Sequence, residues 1–269
     1  ERIITKISKE QKIKTFTMIP TNIIFNPVFS EWFTADKIFC YGPEDLELLK
    51  KMGYNENRIL ISGNPKYDKY FERENMKLLK NKFFHKNNLD ENRKILLIMM
   101  SDWHKDDTNW IIELVNFLYD NSCQTIIKIH PKFKKIMIEL TKKNIKEINY
   151  KCKGKCSVII DEDSTFLISL SDVFITDYSA AIFGALFLKK PSFNINFNFN
   201  ERLKKNIYMP FADEGISTFV ESVDKLKIEI IQKLNSKKID DNIEQGFKKY
   251  FKYNDGYATD RIIKKLELN

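Results

Sequence analysis

From Arg93 to Phe197 the chain alternates apolar runs with helical stretches, and no other feature limits its fold as tightly. Strands are predicted at Arg93–Met100, Cys123–Ile129, Ser157–Ile160, Val173–Thr176 and Pro191–Phe197. Helices are predicted between them at Asp107–Tyr119, at Lys134–Ile145, in a short stretch capped by Asp161–Thr165, and at Ser179–Leu188. Strands joined through helices cross over right-handed, which makes the sheet parallel. The loops at the carboxyl ends of such strands form the crevice where open α/β sheets hold nucleotides and phosphates. Two of those loops carry polar chemistry: His130-Pro131, and Thr176-Asp177-Tyr178-Ser179-Ala180.

The preceding stretch has a similar rhythm. A helix over Glu1–Gln11 puts Ile3, Ile4 and Ile7 on one face. Strands at Lys14–Ile19, Ala35–Tyr41 and Arg58–Ser62 surround a helix at Glu44–Met52 that Gly53 ends. A polar connection with one helical stretch runs from Tyr70 to about Asn92. The fold class is therefore α/β, with a parallel Rossmann-type second lobe and an incomplete first lobe. The expected division is residues 1–88, a partial first lobe with its connection, and 89–269. Helices at Val220–Leu234, about Ile239–Lys249, and Ala258–Leu266 are expected to close the second lobe.

Composition removes several classes. With 269 residues, 43% hydrophobic and 30% charged, the chain can bury a real core and is not a disordered type. No apolar run reaches the roughly 18 residues of a membrane helix. The net charge of +8 is carried partly by lysines between Lys132 and Lys155, either an attraction for an anionic partner or a solvated helix face. No nucleic-acid module accompanies that charge, so nucleic acid is not an expected partner. Cys40 and Cys123 read as buried small hydrophobes. Cys152 and Cys156 lack the second pair that a structural zinc site needs, and the three histidines lie far apart. No metal or cofactor is expected, and free thiols fit a reducing cytoplasm.

Each polar loop has two readings. His130 can hydrogen-bond a phosphate or ribose oxygen when neutral; protonated, it can neutralise or protonate a leaving nucleotide. Pro131 would hold that turn. The plainer role is a cap on a strand end. Asp177 or Ser179 can cap the helix that follows. Alternatively, the Ser179 hydroxyl and nearby backbone N–H groups can bind a pyrophosphate, with the small Ala180-Ala181 pair letting the helix approach the sheet. A carboxylate beside a phosphate is unfavourable, so Asp177 would orient backbone or another side chain.

Six stretches in order, from about residue 35 to 263, carry a family resemblance. They are Ala35–Phe39 with Tyr41-Gly42, Gly63-Asn64-Pro65-Lys66-Tyr67-Asp68, Met100-Ser101-Asp102-Trp103, Lys128-Ile129-His130-Pro131, Ser171–Ala180, and Asp255–Ile262. Together they resemble the CDP-glycerol glycerophosphotransferases, the teichoic-acid polymerases and related capsule transferases of GT-B fold. The resemblance implies a catalytic His130 at the departing phosphate. It also implies a donor site drawn from Asp177, Tyr178, Ser179, Ala180, Ser101, Pro131, Lys132, Thr165 and Asn64. The implied donor is CDP-glycerol, CDP-ribitol or a CMP- or CDP-sugar. The implied acceptor is a hydroxyl of a polyol or sugar polymer, in teichoic acid or capsule. Location would be cytoplasmic, peripheral on the anionic inner face of the plasma membrane. One departure stands out: the family's first-lobe His-Gly is replaced by Thr17-Met18-Ile19-Pro20-Thr21-Asn22. The acceptor-side base is then unassigned, with Asp213-Glu214, Asp102 and His104 as candidates. Competing readings are a nucleotide-sugar epimerase of the same fold and a non-catalytic nucleotide- or partner-binding module.

Overall fold

Strands without a polar face must be buried on both sides, and the strands after residue 93 behave that way. The computed structural model describes residues 2–19, 33–100, 107–129, 138–177, 179–195, 212, 216–236 and 241–267. Within them, β4 (Lys94–Met99), β5 (Cys123–Lys128), β7 (Val173–Thr176) and β8 (Ser192–Ile195) are buried almost throughout. The flanking β6 (Cys156–Ile159) and β9 (Thr218–Val220) are half-exposed, as edge strands are. All pairings are parallel, and the order among the described residues is β6-β5-β4-β7-β8-β9. In sequence ranks this is 3-2-1-4-5-6, the order of a doubly wound sheet, whose direction of growth reverses between its first and fourth strands.

One face, presented by Leu96, Ile98, Val173, Ile175 and Phe193, packs under α4 (Asp107–Asp120) and α8 (Val223–Asn235). Trp110, Leu114 and Leu118 of α4 and Leu226 and Ile230 of α8 fill that layer. Each such buried aliphatic contributes about 1.5–3 kcal/mol. On the same side α5 (Ile138–Lys151) buries Ile148 and leaves Lys142, Lys143, Lys146 and Lys151 exposed, so these lysines form a solvated helix face. The other face carries α6 (Ser164–Leu170) and α7 (Ile182–Phe187). Phe83 of α3 (Arg73–Lys86) meets Phe166 edge-on with ring centres 5.5 Å apart.

Earlier in the chain, β1 (Phe16–Met18), β2 (Lys37–Cys40) and β3 (Ile59–Ile61) make a parallel three-stranded sheet in that order. The crossover α2 (Pro43–Lys51) has Pro43 in its first turn, Glu44 and Asp45 at its start and Lys50 and Lys51 at its end, which suits the helix dipole. Helix α1 (Arg2–Glu10) precedes this sheet with Ile3, Ile4 and Ile7 exposed.

Two compact units result: residues 1–76 with 245–269, and residues 77–244. The sequence predicts that the closing helices belong with the stretch from 89 onward; the structure draws the boundary differently. Both α10 (Ala258–Glu267) and most of α9 (Asp241–Tyr250) pack with the first unit, through contacts about 190 residues apart in sequence such as Asp68 to the Ala258 N–H, 3.0 Å. Two other boundaries move. The helix predicted from Ser179 begins at Ile182, because residues 179–181 are used in a turn that closes its first coil. The helix predicted from Val220 begins at Val223, because residues 218–220 pair with β8 as a sixth strand.

Candidate functional site

The point where the sheet order reverses lies between β4 and β7. At their carboxyl ends the Thr176 hydroxyl donates to the Met99 carbonyl at 2.7 Å, locking the two strands at that point. The chain then leaves β7 as Asp177. Its backbone carbonyl accepts from the Asn194 side-chain amide on β8 at 2.7 Å, and Asn194 in turn accepts from the Ser217 hydroxyl. The Thr176 hydroxyl also lies 3.4 Å from the Asp177 carboxylate. The loop is thus tied on both sides before Ser179.

Ser179 Oγ accepts the Ala181 N–H at 3.2 Å, and the Ser179 carbonyl accepts the Ile182 N–H at 3.2 Å. The amides at the head of α7, which the sequence assigns to a phosphate, are therefore used internally. The donors left without an acceptor among the described residues come from the loop instead. The Ser179 hydroxyl accepts one bond and keeps its own proton to donate. Among the described residues the N–H groups of Ser179 and Ala180 have no acceptor, and both residues are at least partly exposed.

Thr165 stands in the first turn of α6, which Asp163 caps by accepting the Phe166 N–H at 2.8 Å. Its side chain is 3% exposed. A Cβ on Gly184 would lie 3.9 Å from Thr165 Oγ1 and 3.3 Å from Ile168 Cδ1, so Thr165 serves the close contact of α6 with α7. Asn64 belongs to the first unit and accepts the Lys66 N–H at 3.0 Å, capping the 3₁₀ turn Pro65–Phe71. Ser101, His130, Pro131, Lys132 and Tyr178 lie outside the described residues, as do Asp102, His104, Asp213 and Glu214.

Lys128 is a site-edge residue to which the sequence analysis assigns no role. Although 3% exposed, it ends β5 and donates its ammonium to the carbonyls of Ile129 and Ile160, where β5 and β6 finish. A cation amid strand-end carbonyls holds the backbone from which the chain proceeds to His130. Its only sequence signal is a lysine inside an otherwise apolar run.

Two of the resembling stretches turn out to interlock in the first unit. Asp68 accepts the N–H groups of Ala258 and Thr259 at 3.0 and 2.7 Å, capping α10. Arg261 makes a two-pronged pair with Asp255 at 2.8 and 2.9 Å, donates to the Ser62 carbonyl at 2.8 Å, and lies 3.8 Å from the Tyr253 ring centre. That pair holds the Asp255 carboxyl below its ordinary range. Gly63, at φ +81°, holds a left-handed backbone beside Ala258 and Arg261, each 3.4 Å from where a Cβ would lie. These residues form a clasp.

Among the described residues no group of His, Cys, Asp and Glu could hold a metal, and no helix is long and apolar enough to cross a membrane. The Cys156 thiol donates to the Cys152 carbonyl at 4.0 Å, and the interaction of the two thiols sets Cys152 below and Cys156 above the ordinary cysteine value.

A profile of the family described as CDP-Glycerol:Poly(glycerophosphate) glycerophosphotransferase matches residues 43–268. Among solved structures the chain is similar to the wall teichoic acid polymerase TagF, at 18% identity and a TM-score of 0.66, over 91% of this chain and 60% of that one. A variant of that polymerase soaked with CDPG is similar at 19% identity and a TM-score of 0.62, over 91% of this chain and 60% of that one. UDP-GlcNAc 2-epimerase from Neisseria meningitidis, bound to UDP-GlcNAc, is similar at 16% identity and a TM-score of 0.59, over 98% of this chain and 72% of that one. These likenesses are of fold, an α/β architecture of GT-B type. The chain spans about 60% of the polymerase's length. No curated protein matches it.

Proposed function

Because the chain belongs to the CDP-glycerol:poly(glycerophosphate) glycerophosphotransferase family, we propose that it binds CDP-glycerol, or a close cytidine-activated analogue, in the crevice between β4 and β7 and transfers the glycerol phosphate to a polymer hydroxyl. The observation that carries this reading is the loop after β7. It offers a hydroxyl proton and two amides without acceptors at the point where the sheet order reverses. Those groups suit the pyrophosphate, whose oxygens accept strong hydrogen bonds from uncharged donors.

In the transfer, a polyol hydroxyl oxygen attacks the phosphorus that bears glycerol. The new O–P bond forms as the bond to the CMP phosphate breaks, and the hydroxyl proton passes to a base. CMP leaves with negative charge, which His130 neutralises or protonates. Lys128, fixed at the end of β5, positions the backbone that leads to it. The protein would work at the anionic inner face of a membrane, drawn there by its net charge of +8. The likeness to an epimerase supports only the shared fold; the family match favours the transferase.

The test is CMP release from CDP-glycerol in the presence of a poly(glycerol phosphate) primer. Wild type should turn over, and His130→Ala should lose about 100-fold or more in kcat while still binding CDP. A protein that binds CDP-glycerol tightly without releasing CMP would contradict the transferase reading and leave a binding module.

A further inference from the structure

The opposite, amino edge of the second unit's sheet holds a cavity of about 320 Å³, lined among others by Lys80, Glu91, Arg93, Lys94, Asp172 and Lys190. Four cations face two carboxylates there, and most have settled partners. The Arg93 guanidinium donates to the Tyr119 carbonyl at 2.8 Å and lies 3.9 Å from the Tyr119 ring centre. Asp172 accepts the Ile95 N–H at 2.9 Å and pairs with Lys94 at 3.1 Å, joining β4 to β7. Lys80 stands over the Phe84 ring, 5.0 Å from its centre. Lys190 differs. Among the described residues its ammonium has no hydrogen bond or ion pair, although Lys80 and Lys94 repel it and only Asp172 attracts it. Burial pushes it below the ordinary lysine value.

A lysine just after a helix commonly answers the helix's exposed carbonyls. That duty is already filled here. The carbonyls of Gly184, Leu186 and Ala185 accept the N–H groups of Leu188, Lys189 and Lys190, with Lys189 at φ +53° closing the turn. At the end of α6, the Ser171 N–H and the hydroxyls of Ser169 and Ser171 take the carbonyls of Phe166, Leu167 and Ile168. A half-buried ammonium, beside two others and free of capping work, is complementary to a multiply charged anion.

We propose that this amino-edge cavity is a second anion site that takes a phosphate group, with Lys190 as its central contact and Lys80 and Lys94 flanking it. A phosphate group offers several charged oxygens to ammonium donors, whereas chloride offers no directional acceptors. The volume admits an ester as well as the bare ion. The same chemistry is offered by free phosphate and by the phosphodiesters of a polyol-phosphate polymer. The site is independent of the donor crevice, which opens at the other end of the strands.

The test is thermal unfolding and calorimetry of the full chain with inorganic phosphate, with glycerol 3-phosphate and with a short glycerol-phosphate diester oligomer, each against chloride at equal ionic strength. Phosphate should raise Tm saturably beyond chloride. Lys190→Gln should need at least tenfold more phosphate for the same shift, and Lys80→Gln severalfold more. Both variants should bind CDP as wild type does, and Ser179→Ala should keep the phosphate response. Tighter binding of the oligomer than of inorganic phosphate would assign the site to polymer; the reverse would assign it to free phosphate. Equal shifts from phosphate and chloride in wild type, or unchanged phosphate responses in both lysine variants, would overturn the proposal.

Discussion

Stretches that carry the same family resemblance do different work. The Gly63–Asp68 and Asp255–Ile262 stretches meet in the first unit and hold it together through a capped helix, a two-pronged ion pair and a backbone contact. The Thr176–Ala180 stretch has its own anchors, but they stop short of Ser179, leaving donors that nothing among the described residues accepts. Signature residues are therefore not equivalent evidence of chemistry. A motif whose polar atoms are all answered within the fold is architecture, and one whose donors lack acceptors is a candidate for ligand contact.

Breaking the clasp should give the larger effect, and on stability alone. Arg261→Ala removes the partner of Asp255, the bond to the Ser62 carbonyl and the stacking on Tyr253. Since the pair is partly exposed, the expected cost is about 2 kcal/mol in denaturant unfolding, with CDP affinity unchanged. A variant of normal stability that fails to bind CDP would erase the contrast between the stretches.

A pH measurement sharpens the same contrast with a smaller effect. The folded Asp255 carboxyl lies below its unfolded value, chiefly through Arg261. Its contribution is therefore fully present above the unfolded value and is lost as pH falls through the folded one. Wild type should lose stability on acidification more steeply than Asp255→Asn, read as the difference between their Tm values at neutral pH and near pH 3. Parallel acid limbs would contradict the role given to the pair.

Much of the second unit was legible because β4, β5, β7 and β8 are buried on both faces, so their apolar runs stand out from any neighbour. Thr218–Val220 did not, since a three-residue edge strand with one exposed phenylalanine has neither length nor pattern. The packing of α10 with the first unit rests on Asp68 and Arg261, whose partners are distant in sequence and invisible to local periodicity. The loop after β7 follows directly from the buried run Val173–Thr176, but which of its amides lack acceptors depends on the turn at residues 179–181. Asn64 and Thr165 show the converse: polar residues near resembling motifs, one spent on capping a 3₁₀ turn and the other buried in a helix contact. Lys80, Lys94 and Lys190 become neighbours only once the strand order is known.

The account stands most directly on the Ser179 loop as the donor contact. The decisive measurement is calorimetric titration of CDP, CMP, UDP and GDP into wild type and Ser179→Ala, with unfolding curves for both. The account expects a cytidine nucleotide to bind best, about tenfold more weakly in the variant, or about 1.4 kcal/mol, while stability changes by less than about 0.5 kcal/mol. Undiminished cytidine-nucleotide binding in Ser179→Ala, or no nucleotide binding in wild type, would contradict it.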